Sequence, residues 1–156
     1  MNETFQEFLK NLAKQKIAII GAGVSNVPLI QKLVSLNCDL TLFDQKEEEN
    51  LNEEMQKLIQ KGILKASLGK EYLERLNHFD IIFRSPSFLP SNPYLRKEKS
   101  RGAIITSEIE EVIRYAPCKT IGITGSKGKT TTNHYPYIKR IRLSCLYWRK
   151  HRHTSL

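Results

Sequence analysis

A short apolar run, Ile17-Ala18-Ile19-Ile20, breaks into Gly21-Ala22-Gly23-Val24-Ser25-Asn26 and then into a stretch with Leu29, Ile30, Leu33 and Val34 at helical spacing. No other feature constrains the fold as tightly. An apolar run without alternation suits a strand covered on both faces, as in a parallel sheet. A strand that turns through glycines into an amphipathic helix opens a β-α-β unit, and Leu40-Thr41-Leu42-Phe43-Asp44 supplies the second strand, ending on an acid.

The alternation continues. Residues 47–62 read as one solvated helix with Leu51, Met55, Leu58 and Ile59 facing inward, Ile63 to Leu68 as a strand, and Glu71 to Leu76 as a short helix. Asp80 to Arg84 is a further strand, followed by Ser85 to Pro93, where three prolines predict irregular chain. Gly102 to Ile105 is another strand. Ser107-Glu108-Ile109-Glu110 has the spacing of a capping box and predicts a helix to about Tyr115, which Ala116-Pro117 ends. Strands alternating with helices predict an α/β domain built on an open, mostly parallel sheet.

Charge is unevenly spread. The net charge is +9, but all 16 acidic residues precede position 133, and six of the 25 Lys and Arg follow it. The first 132 residues therefore carry +3, an ordinary soluble balance, and the last 24 carry +6. The three cysteines, Cys38, Cys118 and Cys145, form neither metal spacing nor a disulfide framework, which fits a reducing compartment. Residues 1–15 are amphipathic, with Phe5, Phe8, Leu9 and Leu12 at helical spacing, and lack the apolar core of a signal peptide. The expectation is a cytoplasmic protein.

Two stretches carry chemistry. Gly21-x-Gly23-x-x-Asn26 after a strand, with Asp44 at the next strand end, has the form of a diphosphate-binding turn. Glycines let the backbone approach a phosphate, and the helix amino terminus offers unpaired N–H groups and a positive dipole end. The third glycine of the dinucleotide fingerprint is replaced by Asn26, so the match to a redox dinucleotide site is imperfect, and a different diphosphate such as a UDP-sugar would fit the same turn. Asp44 can equally be a strand-end turn residue.

The second stretch is Ile121-Gly122-Ile123-Thr124-Gly125-Ser126-Lys127-Gly128-Lys129-Thr130-Thr131-Thr132, a strand entering a phosphate loop. Backbone N–H groups of Gly125, Ser126, Lys127, Gly128 and Lys129 can line the phosphates of a nucleoside triphosphate. The Lys129 ammonium can neutralise terminal phosphate charge, and the Thr130 hydroxyl can help hold Mg²⁺. The spacing departs from the general Walker A pattern, with Ile123 where that pattern has its first glycine.

Thr124 to Thr132 resembles the ATP loop of the Mur ligases. Gly21 to Asn26, the acid-ended second strand, Arg84-Ser85-Pro86-Ser87 and Gly102 to Glu110 resemble the amino-terminal domain of the D-glutamate-adding branch. The resemblance covers residues 16–132 and departs from many relatives at Ser87. It implies a Rossmann-like sheet over residues 1–116, binding a UDP substrate, then the first strand and phosphate loop of a P-loop-type ATP domain over 117–132. It implies ATP-dependent ligation of D-glutamate to UDP-N-acetylmuramoyl-L-alanine through an acyl phosphate, in peptidoglycan precursor synthesis, by a monomer that uses ATP and Mg²⁺ and neither nucleic acid nor a membrane span. By matched position, Val24, Ser25 and Asn26 would lie against the diphosphate. Asp44, Gln45 and Lys46 would lie near the uridine end, with Ser85 lining the same cleft. Gly125, Ser126, Lys127, Gly128, Lys129, Thr130 and Thr131 would hold ATP, with Lys129 the catalytic group stabilising the transferring phosphoryl and Thr130 near the metal. A sister ligase, a folylpolyglutamate-type synthetase and a stand-alone nucleotide-binding module remain the alternatives.

Residues 133–156 read differently. In the family the loop threonines continue into an apolar helix and later a Gly-Asn-Ile-Gly block, whereas Asn133-His134-Tyr135-Pro136 breaks a helix at once. Codons for Asn133 to Tyr137, read one base later, can encode Thr-Thr-Ile-Leu. Those for Tyr147 to Ser155 can encode Gly-Gly-Asn-Ile-Gly-Ile-Pro in the same shifted frame. The expectation is a frameshift tail and a fragment inactive in ligation. The rival is a basic, aromatic tail that binds RNA or acidic lipid.

Overall fold

The computed structural model describes residues 4–23, 26–116 and 120. Nearly all of them belong to one compact unit, Met1–Val112. Its elements alternate in the expected way: α1 (Phe5–Leu12), β1 (Lys16–Ile20), α2 (Val27–Ser35), β2 (Asp39–Asp44), α3 (Glu53–Gln60), β3 (Lys65–Leu68), β4 (Ile81–Arg84), α4 (Pro93–Ser100), β5 (Ile104–Thr106) and α5 (Glu108–Arg114).

The five strands form one sheet in the order β3-β2-β1-β4-β5, and all four pairings are parallel. The chain starts at the centre, steps outward to β3, then returns to the other side of β1 as β4. This is a Rossmann-like α/β sheet, as the alternation predicted. Burial explains the unbroken apolar strands. Ala18, Ile20, Phe43 and Ile82 pack with Leu76, Leu95 and Ala103 on one face, while the alternate residues Ile17, Ile19, Leu42 and Ile81 are equally buried. Each Leu, Ile and Phe side chain among them contributes about 1.5–3 kcal/mol.

Helix starts follow local chemistry. Thr4 and Glu7 form a reciprocal capping box at α1, and Asn52 accepts the Met55 N–H at 2.8 Å to open α3. That cap is where the expected helix over 47–62 divides: a 3₁₀ turn, Glu48–Asn50, precedes it, and Leu51 lies buried between. Two further expectations are corrected. The segment expected to form a helix from Glu71 to Leu76 is a run of turns, begun by Gly69 at φ +84°. The proline-rich stretch ends in a helix, because Asn92 caps α4 through the Tyr94 N–H at 2.9 Å and Pro93 occupies its first turn, where no amide hydrogen is needed. At α5 the box is half made. Ser107 Oγ accepts the Glu110 N–H at 3.4 Å, while the Glu110 carboxylate accepts from Arg84 Nη2 at 2.8 Å and Thr106 Oγ1 at 3.2 Å.

Candidate functional site

The reversal of strand order between β1 and β4 opens a crevice at their carboxyl ends, where open α/β sheets bind ligands. Gly21 leaves β1 there with φ +93°, and its N–H donates to Phe43 O at 2.7 Å. Ser85 leaves β4 beside it, its N–H donating to Ile20 O at 3.0 Å. A β-carbon on Gly21 would stand 3.3 Å from both Cβ and Oγ of Ser85. The positive φ therefore favours glycine at this position, and a side chain there would also press Ser85 aside by a few tenths of an ångström.

Asn26 occupies the place of the missing third glycine, and its chemistry explains the exchange. It is buried, and its Nδ2 donates to Gly21 O at 2.7 Å and Ile20 O at 3.2 Å, holding the turn from within. It makes no side-chain bond to the first turn of α2, and that turn carries no acid. Among the described residues the amino end of α2 thus has no anionic or side-chain cap, the condition under which its N–H groups and dipole can receive an anion.

Asp44 ends β2 facing the same turn and is buried. Its Oδ2 accepts the Ala22 N–H at 2.6 Å and its Oδ1 accepts the Lys46 N–H at 2.9 Å. The turn-residue role is therefore present, and it fastens the glycine turn to the β2 end. Burial, and then the Asp44 charge, push the Tyr72 phenol upward, so Tyr72 stays neutral beside it. Gln45 and Lys46 are exposed at the strand end, and Ser85 Oγ lies 3.1 Å from Ser87 Oγ.

Asn26, Asp44, Gln45, Lys46 and Ser85 are thus gathered at the carboxyl edge of β1, β2 and β4. Val24 and Ser25 lie outside the described residues, as do Gly125, Ser126, Lys127, Gly128, Lys129, Thr130 and Thr131 of the phosphate loop and the segment 133–156. Among the described residues, no group of three or more His, Cys, Asp or Glu could hold a metal ion, and no helix is long and apolar enough to cross a membrane.

Sequence inspection passed over two participants. Ala22 contributes only its N–H, which no side-chain pattern marks. Gly69 donates to both Asp44 O and Lys46 O, and the Glu47 carboxylate lies 2.5 Å from where its β-carbon would be. A glycine following a strand was the available signal.

No family profile matches the chain. It is 48% identical over 137 residues to the UDP-N-acetylmuramoylalanine--D-glutamate ligase of Clostridium novyi (strain NT). It is 47% identical over 137 residues to the enzyme of the same name from Clostridium tetani (strain Massachusetts / E88). By sequence, the chain is homologous to these ligases. Each match covers 88% of the chain, which spans about 30% of either ligase's length. Of solved structures, a shikimate dehydrogenase from Aquifex aeolicus aligns with 75% of this chain and 55% of its own at a TM-score of 0.41 and 19% identity, too distant to bear on function.

Proposed function

We propose that the unit described above binds the UDP end of UDP-N-acetylmuramoyl-L-alanine, and that the chain corresponds to part of a D-glutamate-adding ligase of peptidoglycan precursor synthesis. The observation carrying this is the crevice between β1 and β4, where the glycine turn, an α2 terminus with no side-chain cap among the described residues, and Ser85 converge in a chain 48% identical over 137 residues to a ligase of that name. The diphosphate would lie against the turn from Gly21 to Asn26 and the first N–H groups of α2. Uridine would extend over the β2 end toward Gln45 and Lys46. Ser85 would donate its hydroxyl to the same ligand from β4. Asn26 and Asp44 hold the described part of the turn in place before any ligand arrives, which lowers the ordering cost of binding.

In this assignment residues 1–116 are the UDP-substrate domain and 117–132 begin the ATP domain. Lys129 and Thr130 would face the triphosphate and Mg²⁺, which together supply activation of the alanyl carboxylate as an acyl phosphate for attack by the D-glutamate amine. The 156 residues carry substrate binding and not the whole ligation, and 133–156 are a frameshifted tail.

Calorimetric titration of the chain with UDP-N-acetylmuramoyl-L-alanine, UDP and NAD tests the assignment. Saturable binding of the two uridine ligands, weakened in Ser85→Ala, is expected. Binding of NAD alone, or of none of the three, would overturn it.

A further inference from the structure

The β3–β4 connection is the one parallel crossover among the described residues without an α-helix, and its turns over 69–80 leave part of the sheet uncovered. Parallel crossovers ordinarily place a helix there. The gap is a groove of about 540 Å³ over the amino-terminal halves of β2 and β3, within the usual size range of small-molecule sites. Its entrance residues Lys16, Asp39 and Lys65 begin their strands, whereas the nucleotide crevice lies at the strand ends. Four or five residues at about 3.3 Å each, roughly 15 Å, separate that entrance from the crevice, while the groove's inner end reaches Phe43, whose carbonyl accepts the Gly21 N–H.

The groove has an apolar interior and a charged margin. Phe43 and Phe79 meet edge to face, with centroids 5.5 Å apart, and Thr41 lies beside them. His78 joins the wall with φ +57°, a left-handed conformation that costs a non-glycine residue about 1–3 kcal/mol and that clusters at ligand sites. Three fixed cations stand at the margin: Lys16, Lys65 and Arg75. Asp39 pairs with Lys65 at 2.6 Å, and the neighbouring Asp80 accepts the Lys16 N–H at 2.7 Å. The Arg75 guanidinium has no hydrogen bond or ion pair to any described side chain. Glu71 and Glu74 line a smaller cavity of about 280 Å³ that shares Ala66, Ser67 and Arg75 with the groove.

We propose that this groove is a second ligand site, independent of the nucleotide crevice, for a small organic anion. A flat apolar body would rest against the half-buried Phe79 and Thr41, with Phe43 sealed in the core beneath, and its phosphate or carboxylate would be received by Arg75 and Lys16. Charge complementarity and the Phe79 ring select that class over a neutral or cationic ligand.

Titrating the ¹⁵N-labelled chain with phenyl phosphate, benzoate, inorganic phosphate and phenol, read by amide shifts, tests this. Saturable shifts at His78, Phe79 and residues 65–67 are expected with phenyl phosphate or benzoate, with affinity about tenfold weaker for inorganic phosphate and for phenol. Arg75→Gln and Lys16→Gln are each expected to weaken binding about tenfold without moving the thermal midpoint. Equal binding of phenol, unaltered affinity in both variants, shifts confined to Gly21–Gly23, or no saturation would each overturn the site.

Discussion

Asp44 holds Ala22. The carboxylate at the end of β2 accepts the Ala22 N–H at 2.6 Å while its other oxygen takes the Lys46 N–H at 2.9 Å, so one side chain ties the glycine turn to the next strand's exit. Asp44→Asn keeps the size but turns one acceptor into a donor that faces an N–H. A loss of about 1.5–3 kcal/mol is expected, seen as a lower urea midpoint with an unchanged slope. UDP affinity should fall with it, because the turn loses its fastening. A variant as stable as the native chain would mean that the two bonds contribute nothing net.

The two glycines of the turn should behave differently. Gly21→Ala must adopt φ +93° and stand 3.3 Å from Ser85, and a cost of about 1–3 kcal/mol is expected. Nothing lies within 4 Å of a β-carbon on Gly23, and its φ lies outside the left-handed range. Gly23→Ala should therefore change stability by less than about 1 kcal/mol. Thermal unfolding of the two variants side by side separates them. Equal losses would contradict the geometry.

Gly69 tests which of two strains dominates. Alanine there would meet the Glu47 carboxylate at 2.5 Å, but that group is the far end of an exposed side chain and can swing away. The φ of +84° cannot be relieved in this way and costs about 1–2 kcal/mol. Gly69→Ala and Gly69→Ala/Glu47→Ala should accordingly lose similar stability relative to their parents, with a coupling below about 0.5 kcal/mol in a double-mutant cycle. A large coupling would place the strain in the side chain.

Alkaline instability should appear in two limbs. Burial raises the Cys38 thiol, and burial together with Asp44 raises the Tyr72 phenol. Both groups keep their protons more tightly when folded, so the unfolded state deprotonates first. Stability then falls as pH rises past the unfolded values, near 8.5 for the thiol and near 10 for the phenol. Cys38→Ala should flatten the first limb and leave the second. Denaturant midpoints between pH 7 and 11 give the readout, and an unchanged first limb would assign it elsewhere.

What the chain disclosed in advance has a physical pattern. Ile17 to Ile20 and Leu40 to Phe43 are legible because strands buried on both faces are predominantly apolar, and Gly21 because the exit from β1 takes a positive φ. The helix α4 is not legible, since prolines that disfavour a helix interior are acceptable at its first turn, and only Asn92 signals the start. The turns over 71–76 carry helical spacing, yet the chain there never closes a helix: Leu76 is buried in the core and Tyr72 and Leu73 pack half-buried against it. At the site, Asn26 reads as a defective glycine until its two carbonyl partners are seen, and the bonds of Asp44 to main-chain N–H groups leave no trace in residue type. The phosphate loop stands out most clearly in the sequence, and it lies outside the described residues.

The position of β1 at the centre of the sheet has a consequence for synthesis. Its partner on one side, β2, begins at Asp39, but its partner on the other, β4, arrives only with Ile81, paired to Ile17. As the chain leaves the ribosome, the second edge of β1 remains bare from Ile20 to Ile81, some 60 residues of growth and on the order of several seconds at about 5–20 residues per second, and β1, β2 and β3 can associate in that state once Leu68 completes β3. Until β4 docks there is no crevice, so a nucleotide has nothing to bind and cannot assist the early steps. The interval exposes Ile17, Ile19 and Ile20 along an unpaired strand edge, and it is then that a nascent chain of this topology is most open to pairing with a neighbour.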